Sequence, residues 1–277
     1  MDKLSNDVIT YVKNKDQEYL QFNKLLKYSD IISHCYSLGI DKSYRTSKAN
    51  GIDLPNCDFN NSIINYKSLC NANKMNYINI VKTGQAHTDR VRIVKEKKYW
   101  DKPDLDVYDM TDGLITNKKN IILATTNADC ILLLIFDPIK RVIANIHSGW
   151  RGTLQEISLK TIGKMEKEFG SNPEDLIVCI CPSIRKCHFE VKKDVYELFL
   201  NKFNNIGNIE EFIEEKNDKW YIDTVYINKK LLSIAGVKEE NIEDSKLCSV
   251  CNKDKIHSYR AEGINYGLAT ALIELIQ

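Results

Sequence analysis

The chain has 277 residues, of which 43% are hydrophobic and 28% are charged, and this composition is typical of a globular protein rather than of a disordered one. Its 39 Lys and Arg residues are balanced by 38 Asp and Glu residues. Because no large net charge is available to attract polyanions, binding to nucleic acid or to an anionic membrane surface is not expected.

The sequence also disfavours membrane insertion and export. Its most apolar stretch, residues 121–136, is interrupted by Asn127 and Asp129 and is too short to cross a bilayer as a helix. The N-terminal residues carry scattered charges instead of the apolar core of a secretory signal. Nine cysteines, an odd number at irregular spacings, favour free thiols over a disulfide framework. We therefore expect a cytoplasmic protein.

No linker, repeat or long block of one charge divides the sequence, so residues 1–277 are predicted to form a single domain, with residues 1–33 as an N-terminal extension of helix or strand. The polar segment 39–62 is expected to form loops. Short apolar runs predict strands at residues 77–82, 121–124, 131–136, 142–146 and 176–180. Since these runs are apolar on both faces, helices should cover the sheet.

A helix is predicted from Thr153 to Phe169, because Thr153 and Glu156 have the spacing of a capping box, an apolar stripe follows, and Gly170 suits a left-handed end. Further helices are predicted over residues 191–203, 223–235 and 266–276. Strands interspersed with these helices predict an α/β (α+β) fold with mixed strand directions.

The segment 125–153 carries the most chemistry. If residues 137–140 form a four-residue hairpin loop, Phe136 pairs with Arg141, and counting back along both strands pairs Cys130 with His147. Directly opposed residues have Cβ atoms roughly 4.5–5.5 Å apart, close enough for a thiolate and an imidazole to share a metal ion.

A third ligand has to come from elsewhere, and His87, just beyond the strand at 77–82, is the best candidate. A Cys/His/His set leaves one tetrahedral position open, which is typical of catalytic rather than structural zinc. Two alternatives stay open. Cys130 and His147 can be ordinary core residues, or Cys130 can be a nucleophile that His147 activates.

Other polar motifs are weaker. The turn from Gly149 to Gly152 delivers Arg151 to a helix N-terminus, which suits an anion site but equally suits a tight turn. Cys248 and Cys251 form a single C-x-x-C without a matching pair, so incidental thiols are favoured there. The set Cys179, Cys181, Cys187 and His188 also suggests a metal site, although a buried strand at 176–180 accounts for Cys179. No role is assigned to His34 or His257.

Five motifs occur in an order that resembles one known family: QAHTDRV, TTNADCILLLIFDP, VIANIHSGWRGT, CPSIRKCHFEV and HSYRAEG. The family is the YfiH-like group, also called laccase-domain or polyphenol-oxidase-like purine nucleoside phosphorylases. The resemblance runs from about residue 34 to the C-terminus, and its most specific part is the A-D-C motif followed by H-S-G-W-R-G-T.

The resemblance implies a single catalytic domain folded as a layered sandwich, with mixed β-sheets covered by helices. It places metal ligands at His87, Cys130 and His147, with Zn²⁺ as the metal and Cu²⁺ as the alternative. The implied activities are phosphorolysis of adenosine, inosine, guanosine and methylthioadenosine, and deamination of adenosine. Its partners would be purine nucleosides and phosphate, and the protein would be a monomer or homodimer. Arg151 or Arg260 is assigned to phosphate as a hypothesis.

The sequence departs from the family pattern at two places. Leu38 stands where many relatives carry an arginine, so the substrate contact of that arginine is either lost or supplied by Arg45. The usual G-P-C segment reads Cys181-Pro182-Ser183. Three other functions remain as alternatives: a Cys130–His147 thiol hydrolase that edits cell-wall precursors, a copper-dependent polyphenol oxidase, and a noncatalytic binding module. Five histidines are few for a multicopper oxidase.

Overall fold

The computed structural model describes residues 4–46, 58–97 and 108–277, and two mixed β-sheets packed face to face lie at its centre. The strands are β1 Ile9–Asn14, β2 Gln17–Phe22, β3 Ile32–Ser37, β4 Ile80–Gly84, β5 Val91–Ile93, β6 Tyr108–Asp109, β7 Gly113–Thr116, β8 Ile122–Asn127, β9 Ile131–Asp137, β10 Val142–Ser148, β11 Ile177–Ile180, β12 Glu190–Val191, β13 Ile213–Lys216, β14 Lys219–Ile222, β15 Ile242–Asp244 and β16 Ala269–Leu275. The helices are α1 Asn23–Leu26, α2 Phe59–Ala72, α3 Trp150–Leu154, α4 Ile157–Phe169, α5 Lys193–Phe203, α6 Ile209–Phe212, α7 Thr224–Ile234 and α8 Tyr259–Glu262.

The seven-stranded sheet has the order β1-β2-β3-β16-β8-β4-β6, and the six-stranded sheet has the order β15-β11-β9-β10-β7-β5. Each sheet contains parallel and antiparallel pairs. A small sheet, β12-β14-β13, lies with α5, α6 and α7 around a separate apolar cluster. None of the described helices has both the length and the apolar character needed to cross a membrane.

The apolar side chains are arranged in layers. Inward-facing residues of the two sheets form one shared core, in which Leu123 and Ile273 of the first sheet meet Leu134 of the second. Helix α2 covers the outer face of the seven-stranded sheet, and α4 and α7 cover the outer face of the six-stranded sheet. The predicted layered sandwich with mixed sheets covered by helices is therefore confirmed.

Most predicted elements are present, and Gly170 ends α4 in the left-handed conformation with φ 66° as predicted. Residues 77–79 form a 3₁₀ turn, so the strand predicted at 77–82 begins only at Ile80. Of the segment 39–62, residues 47–57 lie outside the described residues, and its end is the start of α2. Part of the predicted N-terminal extension is β1 and β2, which form one edge of the seven-stranded sheet.

The predicted capping box is wrong. Helix α4 begins at Ile157, and Glu156 before it has φ 60° and makes no capping hydrogen bond. The Thr153 hydroxyl instead contacts the Ser148 hydroxyl and accepts a hydrogen bond from Asn228. Buried polar partners on β10 and α7 therefore compete successfully for the side chain that the local spacing assigns to the cap.

The helix predicted at 266–276 is also wrong, because this segment contains β16 at the centre of the seven-stranded sheet. Every residue of β16 is buried, and the strand pairs with β3 on one side and β8 on the other. A short apolar run without polar alternation does not distinguish a buried strand from a buried helix.

Glu274 lies within β16 with only 3% of its surface exposed. Burial raises the pKa of its carboxyl from 4.5 to about 7, although a hydrogen bond with Asn79 opposes the shift. An acid whose pKa rises on folding destabilises the folded state as pH increases from 4.5 through 7. We therefore expect Glu274→Gln to raise the unfolding free energy by about 2–3 kcal/mol at pH 8 and by much less at pH 5. Thermal unfolding at the two pH values measures this, and an equal shift at both would contradict it.

Candidate metal centre

Three side chains from separate parts of the chain meet beside the ends of two central strands, β9 and β10, of the six-stranded sheet. Cys130 directly precedes β9, His147 lies near the end of β10, and His87 follows β4. Their ligand atoms all lie within 4.8 Å of one another. The Cys130 Sγ is 3.9 Å from the His87 Nε2, and the two imidazole rings meet edge to face with 4.9 Å between centroids. His87 is exposed, Cys130 half-buried and His147 buried, so the cluster is open to solvent on the His87 side.

The strand register that brings Cys130 and His147 together differs from the predicted one. Phe136 lies opposite Ile143, and His147 lies opposite Leu132. The loop has the predicted four residues but begins one residue later, because Asp137 is the last strand residue and its carboxylate accepts hydrogen bonds from the next amides. The resulting offset of two residues leaves side chains on the same face. Cys130 and His147 are therefore diagonal rather than direct neighbours.

Gly149 lies against all three side chains. A Cβ atom at this position would be 2.8 Å from His87 Cδ2, 3.2 Å from Cys130 Sγ and 3.3 Å from His147 Cε1. Only a residue without a side chain leaves this space free. Gly149 is also the residue before α3, so the turn that ends β10 and starts the helix passes directly beneath the cluster.

A buried carboxylate that the sequence motifs do not reveal holds two of the three candidate ligands. Asp112 accepts hydrogen bonds from the backbone amides of Ala86, His87 and Thr88 and from the Thr88 hydroxyl. The same carboxylate lies 2.9 Å from His147 Nδ1. These amide bonds stabilise the left-handed backbone of His87, whose φ is 59°. With Nδ1 bound to Asp112, the Nε2 atom of His147 is the nitrogen left for a metal ion.

The charges at the centre are strongly coupled. Burial opposes ionisation of Asp112, but the hydrogen bond and charge of His147 and the Thr88 donors lower its pKa to about 2. Burial likewise opposes protonation of His147, but the Cys130 and Asp112 partners raise its pKa to about 9. Without a metal, Asp112 is therefore expected to be ionised, His147 to be protonated, and Cys130 to be a thiolate.

The Cys130 thiol is expected to be reactive in the metal-free protein. Burial raises the pKa of a thiol, but the charges and hydrogen bonds of His147 and His87 outweigh it and lower the pKa of Cys130 from 9.0 to about 6. Because the thiolate is the nucleophile, alkylation of Cys130 should reach half its maximal rate near pH 6 in metal-free protein, as measured by mass spectrometry of labelled peptides. His147→Ala should move this midpoint upwards. A wild-type midpoint that stays near 9 would contradict the pairing.

The three predicted arginines have different surroundings. Arg151 on α3 is exposed and stacks on the Trp150 ring, 4.0 Å from its centroid. The guanidinium of Arg260 donates to the backbone carbonyls of His188 and Glu190. Arg45 is buried and donates to the Tyr266 carbonyl while stacking on that ring. Thus Arg151 presents its guanidinium to solvent, whereas the other two bind the protein backbone.

His34 and His257, to which the sequence gives no role, make hydrogen bonds within the fold. His34 is buried in β3, and its Nε2 accepts a hydrogen bond from the Phe22 amide. Burial lowers the pKa of His34 to about 3, so this side chain stays neutral. His257 lies between the Lys42 carbonyl and the Glu262 carboxylate.

Comparison with known proteins identifies the family. The family model described as "Multi-copper polyphenol oxidoreductase laccase" matches residues 58–276, which include all three cluster residues. This chain belongs to that family. Two solved structures share its fold: YfiH of Bacillus licheniformis, with 23% identity and a TM-score of 0.82 over 96% of this chain and 98% of that one, and YlmD of Geobacillus stearothermophilus, with 19% identity and a TM-score of 0.83 over 98% and 100%.

Curated relatives carry the names of two enzyme activities. A protein of Bacteroides thetaiotaomicron named purine nucleoside phosphorylase is 36% identical over 56% of this chain and 57% of its own length. The human purine nucleoside phosphorylase LACC1 is 28% identical over 76% of this chain and 47% of its own length. This chain therefore spans about half the length of these relatives. Adenosine deaminase RL5, from an unknown prokaryotic organism, is 30% identical over 68% of this chain and 72% of its own length.

Proposed function

We propose that this chain is a zinc-dependent purine nucleoside enzyme, which cleaves adenosine, inosine, guanosine and methylthioadenosine with phosphate and deaminates adenosine, with copper as the alternative metal. The observation that carries the proposal is the His87–Cys130–His147 cluster in a family whose curated relatives are named purine nucleoside phosphorylase and adenosine deaminase. We further propose that residues 1–277 act as one catalytic domain in the cytoplasm, as a monomer or homodimer.

The residues of the cluster fit a catalytic zinc ion. Two imidazoles and one thiolate are ligands that zinc prefers, and three protein ligands leave a fourth tetrahedral position for substrate or water. Gly149 leaves room at the point where the three donors converge. Asp112 contacts His147 as carboxylates contact the ligating histidines of many zinc enzymes. Bound zinc supplies Lewis acidity at the open position.

The protein's own groups have separable roles in this proposal. Asp112 fixes the ring orientation of His147 and the turn that carries His87. Arg151 is assigned to phosphate, because its guanidinium is exposed and the residue lies only two positions after Gly149. Arg260 and Arg45 stay secondary candidates for substrate binding, because their guanidinium groups already donate to backbone carbonyls.

A nucleoside assay combined with metal analysis tests the proposal. Purified protein should contain stoichiometric zinc or copper and should convert inosine to hypoxanthine and ribose 1-phosphate only when phosphate is present. Adenosine should also yield inosine. Removal of the metal by chelation should abolish both reactions, and added zinc should restore them. Base release that does not depend on phosphate would refute phosphorolysis, and full activity in metal-free protein would refute the metal's role.

The thiol hydrolase stays a second candidate, because the low pKa of Cys130 beside His147 and Asp112 also suits a nucleophile with a base and an orienting carboxylate. Chelation separates the two functions. It should eliminate nucleoside chemistry, whereas a hydrolase acting on cell-wall precursors would keep or gain activity because its thiolate is released.

Copper-dependent phenol oxidation is less well supported. Multicopper oxidases need several histidine-rich copper sites. This chain has five histidines, and His34 and His257 each contact backbone groups away from the cluster. A phenol oxidation assay with copper-loaded protein, run beside the nucleoside assay, checks this conclusion.

A further inference from the structure

A second group of metal-ligand side chains lies apart from the proposed catalytic centre. Cys187, His188, Cys248 and Cys251 place their ligand atoms within 4.8 Å of one another. The two pairs come from distant parts of the sequence, and in the sequence each pair looks incomplete. We propose that these four residues bind a second Zn²⁺ ion in a closed structural site.

The fold explains why the two pairs meet. Strands β11 and β15 are parallel neighbours in the six-stranded sheet. The loops that follow them therefore start at the same end of the sheet, where both strands have their carboxyl ends. The loop after β11 carries Cys187 and His188, and the loop after β15 carries Cys248 and Cys251. A β-bridge between Ser183 and Cys248 continues the pairing into the loops.

Distances within the group agree with tetrahedral zinc. Ligands about 2.3 Å (sulfur) and about 2.0–2.1 Å (nitrogen) from zinc lie roughly 3.8 Å apart between two sulfurs and roughly 3.6 Å apart between sulfur and nitrogen. The Cys187 sulfur lies 3.7 Å from that of Cys248 and 4.0 Å from that of Cys251. The His188 Nδ1 lies 3.2 Å from the Cys187 sulfur and 3.6 Å from each of the other two. These five of the six pairwise separations are within about half an ångström of the tetrahedral values, and the sixth, between the sulfurs of Cys248 and Cys251, is within 4.8 Å.

The chemistry of the four donors points to zinc in a structural role. A Cys₃His set is a common structural zinc site, and four protein ligands leave no open position for a substrate. The Cys187 sulfur is not bonded to that of Cys248 or Cys251, because its separations of 3.7 and 4.0 Å exceed the S–S bond length of about 2.05 Å. Cys187 and Cys251 are exposed, so an ion has access from solvent.

The second site supports the first through Asp129, the residue before Cys130. Asp129 has φ 88°, a conformation that needs support from its neighbours. Its carboxylate accepts hydrogen bonds from the Ser249 hydroxyl and the Arg260 amide, at 2.6 and 2.7 Å. Ser249 lies between the proposed ligands Cys248 and Cys251. Zinc in the second site would therefore hold the loop that fixes the turn before Cys130.

Metal counting in variants that lack one site at a time tests the inference. Each protein is expressed with added zinc, desalted under reducing conditions and analysed by elemental and native mass spectrometry. The variant Cys130→Ser/His147→Ala removes the proposed catalytic site and should keep about one zinc per chain. Adding Cys251→Ser, or Cys187→Ser, should remove this ion and lower Tm by roughly 5–10 °C. Both substitutions are at exposed positions, and circular dichroism checks that each variant is folded.

Cobalt gives an independent spectroscopic readout, because tetrahedral Co²⁺ with three thiolates has stronger charge-transfer bands than Co²⁺ with one. The Cys130→Ser/His147→Ala variant should show the three-thiolate spectrum, and Cys251→Ser in that background should lose it. Cys70→Ala is the matched control, since this buried cysteine lies on α2 beyond the other sheet and should leave the metal content unchanged. A folded Cys130→Ser/His147→Ala variant without zinc would overturn the inference, and so would zinc that survives loss of Cys187 and Cys251. Protein isolated without reductant whose mass is lower by two hydrogen atoms, with Cys187 and Cys248 reacting with alkylating agent only after reduction, would show a disulfide instead and overturn the inference as well.

Discussion

Replacing Gly149 with alanine is expected to lower metal affinity and nucleoside turnover by at least about 100-fold. The added Cβ would be 2.8 Å from the His87 ring, 3.2 Å from the Cys130 sulfur and 3.3 Å from the His147 ring. Each of these atoms belongs to a proposed metal ligand. The added methyl group would therefore push the ligands away from one another, and no flexible surface side chain is available to move in their place. A shift of about 1 Å in the reacting geometry is enough for a loss of this size.

Gly163→Ala is the matched control. Gly163 is an exposed residue inside α4, and nothing lies within 4 Å of a Cβ built there. Alanine favours a helix over glycine, so this variant should gain about 0.5–1 kcal/mol of stability and keep its metal and activity. Elemental analysis, isothermal titration with zinc and the inosine assay compare the two variants. A Gly149→Ala protein that is folded, fully loaded with zinc and fully active would show that the three side chains do not act together on a metal.

The sequence was sufficient for most of the fold, because its strands are short apolar runs and its main helix has a clear stripe and a glycine end. It failed where tertiary contacts decide between alternatives that look alike locally. The segment of β16 reads as an apolar helix until its two neighbours, β3 and β8, are known. Thr153 has the spacing of a helix cap, yet its hydroxyl contacts Ser148 at the end of β10 and accepts a hydrogen bond from Asn228 on α7.

In the candidate site, too, local sequence signals predict some contacts, whereas others depend on the tertiary fold. Cys130 directly precedes β9 and His147 lies on β10, and a short loop joins these strands. Strand register therefore predicts the proximity of the two residues, and a register error of two residues does not change the face on which they lie. Asp112 could not be found in this way, because it reaches the site through hydrogen bonds to a turn 24 to 26 residues earlier and to a histidine 35 residues later. Its only sequence signal is an aspartate before a glycine at the start of a buried strand. The sequence does not show that Cys187 and His188 lie next to Cys248 and Cys251, because the two pairs meet through the parallel pairing of β11 with β15.

Asp112→Asn is expected to reduce metal affinity or activity by about 10–100-fold and to destabilise the protein. The Asp112 carboxylate serves only as an acceptor: its partners are the Ala86, His87 and Thr88 amides, the Thr88 hydroxyl and His147 Nδ1. Asparagine has one acceptor oxygen, and its NH₂ group would face a donor on one side or the other. The variant therefore loses either the support of the His87 turn or the fixed orientation of His147, and both are needed for a shared ion.

The unfolding free energies of the wild type and of Asp112→Asn should also depend differently on pH. Because the pKa of Asp112 falls from 3.8 to about 2 on folding, its ionised form stabilises the fold above pH 3.8, and this contribution is lost as pH decreases through 2. The shift corresponds to about 2 kcal/mol at neutral pH. An asparagine side chain does not titrate, so Asp112→Asn should be less stable than the wild type at pH 7, and the difference should shrink towards pH 2. Thr88→Val is the control, since it removes one hydroxyl donor and leaves the carboxylate, and it should cost about 1 kcal/mol with little loss of metal. If Thr88→Val and Asp112→Asn lose equal amounts of metal, the carboxylate has no special role, and the orientation of His147 must be set by the strand alone.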